Sequence, residues 1–305
     1  MRPTRVVVTG AGGQVGRDLV DMLAGTVVPG QDTRFQPDAR PVGRDEFTVV
    51  ALTHQDLDVR DRDQVAATIA SRAPDVVVHL AAYTAVDRAE RDVATCLAVN
   101  ADGTGHLSDA CAAAGAHLIA VSTDYVFDGQ STRAYVETDA PHPRSVYGIS
   151  KWLGERRCRP SDTVVRTSWV MGVRGRSVVH VIAQRARAGQ PVRFVDDQRG
   201  TVTVAADLAR ALVTLIRERP GGLWHVANTG SLTWYELARF VGGWFGRDDG
   251  FATAITTAEL EPPPLAPRPT RSDLDTGRWQ ARWAGLPPWT EGVDRLLGAW
   301  TAVTP

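Results

Sequence analysis

Arg5-Val6-Val7-Val8-Thr9-Gly10-Ala11-Gly12-Gly13-Gln14-Val15-Gly16 is the stretch on which the reading turns. The residues from Arg5 to Thr9 include a β-branched run that stops at a glycine, as a buried strand does. From Gln14 onward the apolar positions Val15, Leu19, Val20 and Leu23 recur at helical spacing. Between strand and helix, Gly10, Gly13 and Gly16 form the pattern GxxGxxG. The first glycine allows a tight turn, the second lets the backbone approach a pyrophosphate, and the third lets helix and strand pack closely. The helix N-terminus then presents unpaired N–H groups and its positive dipole end to a phosphate. A structural turn without ligand would explain the glycines alone. Their place between strand and helix predicts a dinucleotide site at Gly10, Gly13, Gln14, Val15 and Gly16.

The same alternation continues along the chain. Strands are expected at 47–52, 76–80, 118–121, 164–166 and 224–227, and helices at 61–72 and 87–114, the latter as one long helix or two abutting ones. Segments 178–188, 205–217 and 234–244 have helical spacing, whereas the proline-dense 261–269 cannot be regular. The stretch 25–44 is polar and long for a helix-to-strand link. The pattern predicts an α/β fold, a Rossmann-type doubly wound parallel sheet with a smaller C-terminal α/β substrate-binding lobe. The boundary is expected near 168, giving a cofactor domain 1–168 and a substrate lobe 169–305, with the strand near 224–227 returning to the first.

In dinucleotide folds a carboxylate after the second strand often holds the adenosine ribose and favours NAD. Here Leu52 is followed by Thr53-His54-Gln55. That absence favours NADPH and leaves NADH possible, although no arginine stands at this point. Arg40 and Arg44 lie upstream, within conceivable reach of a 2′-phosphate. Asp58 and Val59 follow the run at 56–57; the aspartate either meets the adenine amino group or solvates a loop.

Tyr147 and Lys151 lie four residues apart, on one face of a helix. A carbonyl that accepts a hydride must also accept a proton on oxygen. A phenol is a weak acid at neutral pH, and a nearby ammonium would bring it closer to working range. Lys151 is the only lysine of the chain. Thr123, closing the strand before this helix, is placed to hydrogen-bond the same oxygen. A surface Tyr–Lys pair would have the same spacing; the glycine turn upstream and the Ser-Thr strand end favour catalysis.

The formal net charge of -1 and the 23% of charged residues give no reason to expect nucleic acid or an anionic membrane as partner. The three cysteines, Cys96, Cys111 and Cys158, have no CxxC spacing, so neither a disulfide framework nor a zinc site is expected. The apolar run at the N-terminus is too short for a signal peptide, and a cytoplasmic location is expected.

With these motifs on the page, the chain resembles the dTDP-4-dehydrorhamnose reductases, extended short-chain dehydrogenases/reductases. The resemblance runs through VTGAGGQVGRDL (8–19), AAYTAVDRAE (81–90), VSTDYVFDG (121–129), VYGISKWLGE (146–155), RTSWV (166–170), DDQRG (196–200) and RPTRSDLD (268–275). It implies Thr123, Tyr147 and Lys151 as catalytic triad, and Ala81, Ala82 and Tyr83 along the cofactor. It also implies Asn100 as a structural asparagine. Val86, Asp124, Tyr125, Phe127 and Trp169 would meet the substrate, and Arg268 and Arg271 its diphosphate. The implied reaction is hydride transfer from NADPH to C4 of a dTDP-4-keto-6-deoxy sugar, by a monomer or homodimer. Some members bind Mg²⁺ through acidic residues at a dimer contact; those acids do not map clearly onto this chain, and no metal is predicted. Met171 and Val202 depart from the family pattern near the expected sugar site. Competing readings are a 4-ketoreductase for another deoxysugar nucleotide, a dehydratase or epimerase, and a non-catalytic NADP-binding subunit. The missing Asp-Glu pair after Thr123 speaks against the dehydratase, and the intact triad against the subunit.

Overall fold

The computed structural model describes residues 2–35, 37–43 and 45–303. Six parallel strands form its central sheet, in the order Gly222–His225, Thr163–Thr167, His117–Thr123, Val76–His79, Thr4–Thr9, Phe47–Leu52. The last five, taken in chain order, are β1 (Thr4–Thr9), β2 (Phe47–Leu52), β3 (Val76–His79), β4 (His117–Thr123) and β5 (Thr163–Thr167). The chain reverses direction of winding after β2, so the C-terminal ends of β1 and β3 sit beside the switch point where such sheets bind ligands.

Alternation along the strands explains why both faces are covered. Val6 and Val8 of β1 and Val76 and Val78 of β3 enter one core; Val7 and Val77 enter the other. Successive side chains point to opposite faces, so a strand apolar throughout must be buried twice. On the first face lie α1 (Gln14–Leu23) and the long helix Ala205–Glu218. On the second lie α2 (Arg62–Arg72) and Gly103–Ala114. His79, the lone polar residue of β3, is fully enclosed, with its Nδ1 2.8 Å from the Thr9 hydroxyl. Burial pulls it down to about 3, so it is a neutral core residue.

The expected helix over 87–114 is broken into Val86–Ala89, Val93–Leu97, a π-turn at Ala98–Asp102, and Gly103–Ala114. The wide turn carries Asn100, which is wholly buried. Its side chain accepts from Tyr83 N at 2.8 Å and donates to Tyr83 O at 3.0 Å and to Ser150 Oγ at 2.9 Å. One amide thus ties the loop after β3 to the helix Val146–Glu155.

Beyond β5 three two-stranded sheets and the helices Val178–Arg187, Trp234–Trp244 and Trp289–Val303 pack over the C-terminal edge. The segment 261–269 contains neither helix nor strand. The described residues of 25–43 form a strap across the helix Ala205–Glu218. Arg217 is almost buried there, with Asp38 and Glu46 each at 2.7 Å and the carbonyls of Arg40 and Pro41 at 2.9 Å. This corrects the expectation for Arg40. Its guanidinium faces Asp38 and Glu218, beside the residue that leads into β2, whereas the glycine turn follows β1 at the opposite end of the parallel strands. Arg44 lies outside the described residues.

Candidate active site

A cleft of about 890 Å³ runs along the C-terminal ends of β1 to β5. Its floor at one end is the glycine turn. Gly10 has φ +68°, and a Cβ there would stand 2.5 Å from Ala81 N. A Cβ on Gly16 would overlap Gly10 O and stand 2.8 Å from Ala11 Cα. Both positions therefore require glycine. Gly13 caps α1 without any side-chain hydrogen bond, so the first N–H groups of the helix remain open to the cleft. Gln14 turns the other way and accepts from Gly172 N at 2.8 Å, tying the turn to the segment after β5. The cradle fits a pyrophosphate: uncapped donors, a positive helix end and no side chain in the way.

Thr53, His54, Leu57, Asp58 and Val59 line the far end of the cleft. Asp58 is paired with Arg60 at 2.6 Å, which draws its carboxyl down to about 2. Ala81, Ala82, Tyr83 and Val86 form one wall, held by Asn100.

At the centre, Thr123 ends β4, and Tyr147 and Lys151 project from the helix Val146–Glu155. Ser145 caps that helix by accepting from Gly148 N at 3.1 Å. A Cβ at Gly148 would collide with Tyr125 O, so the helix can press this closely on the strand end only with glycine there. The Tyr147 phenol faces the Thr123 hydroxyl, which favours its ionised form, and meets the Tyr125 ring edge to face at 5.6 Å. Lys151 donates to Val121 O at 2.7 Å. Burial pulls Lys151 down to about 8, partly opposed by the Glu155 carboxylate one turn on. Burial also raises the Tyr147 phenol. The expected lowering of the phenol by the ammonium is absent here, because desolvation dominates and Lys151 spends a proton on the strand carbonyl. The phenol is left neutral, the state a proton donor needs.

Asp124, Tyr125 and Trp169 also line the cleft. Trp169 has φ +42° and stacks on Trp234 with ring centroids 3.7 Å apart. Gly200 lies beneath it, where a Cβ would come within 2.7 Å of the indole. Trp234 opens the helix Trp234–Trp244 and was not anticipated. Its only sequence signal is an aromatic at a helix start, and just the fold brings it to Trp169.

Three expectations need correction. Phe127 is 1% exposed and stacks on Tyr135 at 4.0 Å, beneath Arg166, so it is core and not a pocket wall. Arg271 lies outside the cleft lining, its guanidinium engaged by Asp273 at 2.8 and 3.1 Å and by Thr132 O at 3.1 Å. Met171 and Val202 are buried in the main core and do not reach the cleft. Arg268 is also outside the cleft lining, paired with Asp87 at 2.5 Å and close enough to stabilise a Tyr125 phenolate.

Comparison with known proteins agrees with this geometry. The family model described as RmlD substrate binding domain matches residues 4–301. A dTDP-4-dehydrorhamnose reductase of Streptomyces griseus is 39% identical over 293 residues, covering 93% of this chain and 89% of that protein. A dTDP-4-keto-6-deoxy-D-glucose reductase of Streptomyces niveus is 36% identical over 300 residues, covering 96% of each. The crystal structure of dTDP-4-dehydrorhamnose reductase from Bacillus anthracis in complex with NADP superimposes with a TM-score of 0.85 at 29% identity, covering 97% of this chain and 99% of that one. The chain belongs to the RmlD family, the dTDP-4-dehydrorhamnose reductases of extended short-chain dehydrogenase/reductase fold.

Proposed function

We propose that this protein reduces the C4 keto group of dTDP-4-dehydro-L-rhamnose to give dTDP-L-rhamnose, with NADPH as reductant. The observation that carries the reading is that Thr123, Tyr147 and, one helical turn on, Lys151 line the same cleft as the glycine cradle. NADPH, when bound, supplies the hydride. Gly10, Gly13, Gln14, Val15 and Gly16 surround its pyrophosphate, Asp58 and Val59 its adenine, and Ala81 to Tyr83 its length. Lys151 holds the nicotinamide ribose.

Tyr147 gives its proton to the C4 oxygen, and Thr123 hydrogen-bonds that oxygen. Val86, Tyr125 and Trp169 face the sugar, Asp124 stands behind Thr123, and Arg268, next to Tyr125, approaches the diphosphate. In this reading 1–168 carries the cofactor and 169–305 mainly covers the substrate. The Streptomyces niveus relative favours a second reading, in which the substrate is another dTDP-4-keto-6-deoxy sugar. Measuring kcat/KM by NADPH consumption with dTDP-4-dehydro-L-rhamnose and with dTDP-4-keto-6-deoxy-D-glucose separates the two. A higher value for the first is expected, and a higher value for the second reverses the assignment.

A further inference from the structure

The hydroxyl of Thr123 has one proton and more neighbours than that proton can serve. Asp124 Oδ1 stands 3.0 Å from Thr123 Oγ1, Tyr125 N–H points at the same oxygen from 3.2 Å, and the Tyr147 phenol faces it across the cleft. If Asp124 is a carboxylate, it can only accept. The single Thr123 proton then goes to Asp124, and none is left for the substrate oxygen. Thr123 can then only accept, and it competes with the substrate oxygen for the Tyr147 proton. If Asp124 is a carboxylic acid, the count comes out differently. Asp124 O–H and Tyr125 N–H fill the two lone pairs of Thr123, whose own proton points into the cleft, and Tyr147 keeps its proton for transfer.

We propose that Asp124 is a positioning residue that works as the neutral acid, donating its carboxyl proton to Thr123 so that the threonine and Tyr147 both donate to the substrate oxygen. The proposal rests on the reductase reading of the cleft and goes beyond direct contact of Asp124 with the sugar.

The surroundings suit an uncharged carboxyl. Asp124 is 1% exposed, and its second oxygen meets the Ser272 hydroxyl at 2.5 Å. Among the described residues it has no ion-pair partner. The segment carrying Ser272 brings two cations nearby, but Arg271 is held by Asp273 and Arg268 by Asp87. From the helix Val146–Glu155 the titratable neighbour is the neutral phenol of Tyr147, and Lys151 beyond it is turned to Val121 O. On its own turn the neighbour is Tyr125, raised to about 12. Ser272, Thr123 and the N–H groups of Asp124 and Tyr125 favour the carboxylate, yet burial outweighs them and lifts Asp124 to about 6. The acid is therefore the form present below that pH and lost above it.

The pH dependence of kcat/KM tests this in wild type, Asp124→Asn and Ser272→Ala. Wild type should lose activity above about pH 6, by about tenfold per unit. Asp124→Asn, whose amide donates to Thr123 at every pH, should keep the acid-side value within about tenfold and lose this limb. Ser272→Ala removes a group that favours the carboxylate and should move the limb to higher pH. A fall near pH 8 shared by all three belongs to Lys151.

An unchanged limb in Asp124→Asn overturns the proposal. So does a loss of over about 100-fold at all pH values in a variant whose circular dichroism shows it folded. Infrared spectroscopy gives a readout free of turnover: a protonated carboxyl band present on the acid side in wild type and missing in Asp124→Asn. Its absence from wild type overturns the proposal with or without a substrate. A wild type that shows the band yet reduces no keto-sugar nucleotide removes the reductase reading and leaves the buried acid standing.

Discussion

Tyr147 and Thr123 meet because a helix start and a strand end share one edge of the sheet, brought together across Gly148. The four-residue spacing of Tyr147 and Lys151 was legible in the sequence, since a helix permits only one arrangement of such a pair. What spacing could not show was the balance of burial against charge. Lys151, as the chain's only lysine, offers a clean measurement. After ¹³C reductive methylation its lone side-chain resonance should titrate near 8, with the cation present below that pH and lost above it. A midpoint near the ordinary lysine value of about 10.4 would contradict a desolvated site. Trp234 escaped the sequence because its contact with Trp169 is entirely tertiary. Phe127 and Arg271 sit inside family-like motifs, and only the neighbours Tyr135 and Asp273 reveal that one is core and the other already paired.

At the scale of elements, the sequence showed most where the period was clear. The strand Phe47–Leu52 and the helix Trp234–Trp244 fall where their patterns place them. The run 87–114 misled, since helical propensity says nothing of a π-turn whose purpose is to aim Asn100 at Tyr83 and Ser150. The glycine turn makes the strongest local demand. In Gly16→Ala the methyl would press on Gly10 and Ala11 backbone, which cannot step aside without opening the cradle. The expected cost is about 1–3 kcal/mol of stability with NADPH affinity weakened at least about tenfold. Calorimetric melting and a fluorescence titration check both, and unchanged NADPH affinity would mean the pyrophosphate lies elsewhere.

Across the whole molecule, the parallel sheet with its covered faces was readable, because alternating strands and helices leave few other ways to bury apolar faces. The strap at 25–43 was not readable, as its order depends on partners far along the chain. Arg217 should anchor it: Arg217→Met leaves the buried Asp38 carboxylate with only the more exposed Arg40 guanidinium, at 3.5 Å. A loss of about 3 kcal/mol is expected, at the low end for a broken buried pair because Glu46 keeps part of its surface in water. The melting temperature should drop while kcat stays near wild type, and a large loss of kcat would instead tie the strap to the cleft.

No described helix is long and apolar enough to cross a membrane, and the molecule's central cleft is built to move one hydride and one proton. The most direct test is NADPH consumption with dTDP-4-dehydro-L-rhamnose by wild type and by Tyr147→Phe. Turnover by wild type, with a loss of roughly 10²–10⁴-fold in kcat when the phenol oxygen is removed, is the predicted result. Equal rates in the two proteins, or a wild type that binds NADPH and leaves the keto sugar untouched, would contradict it.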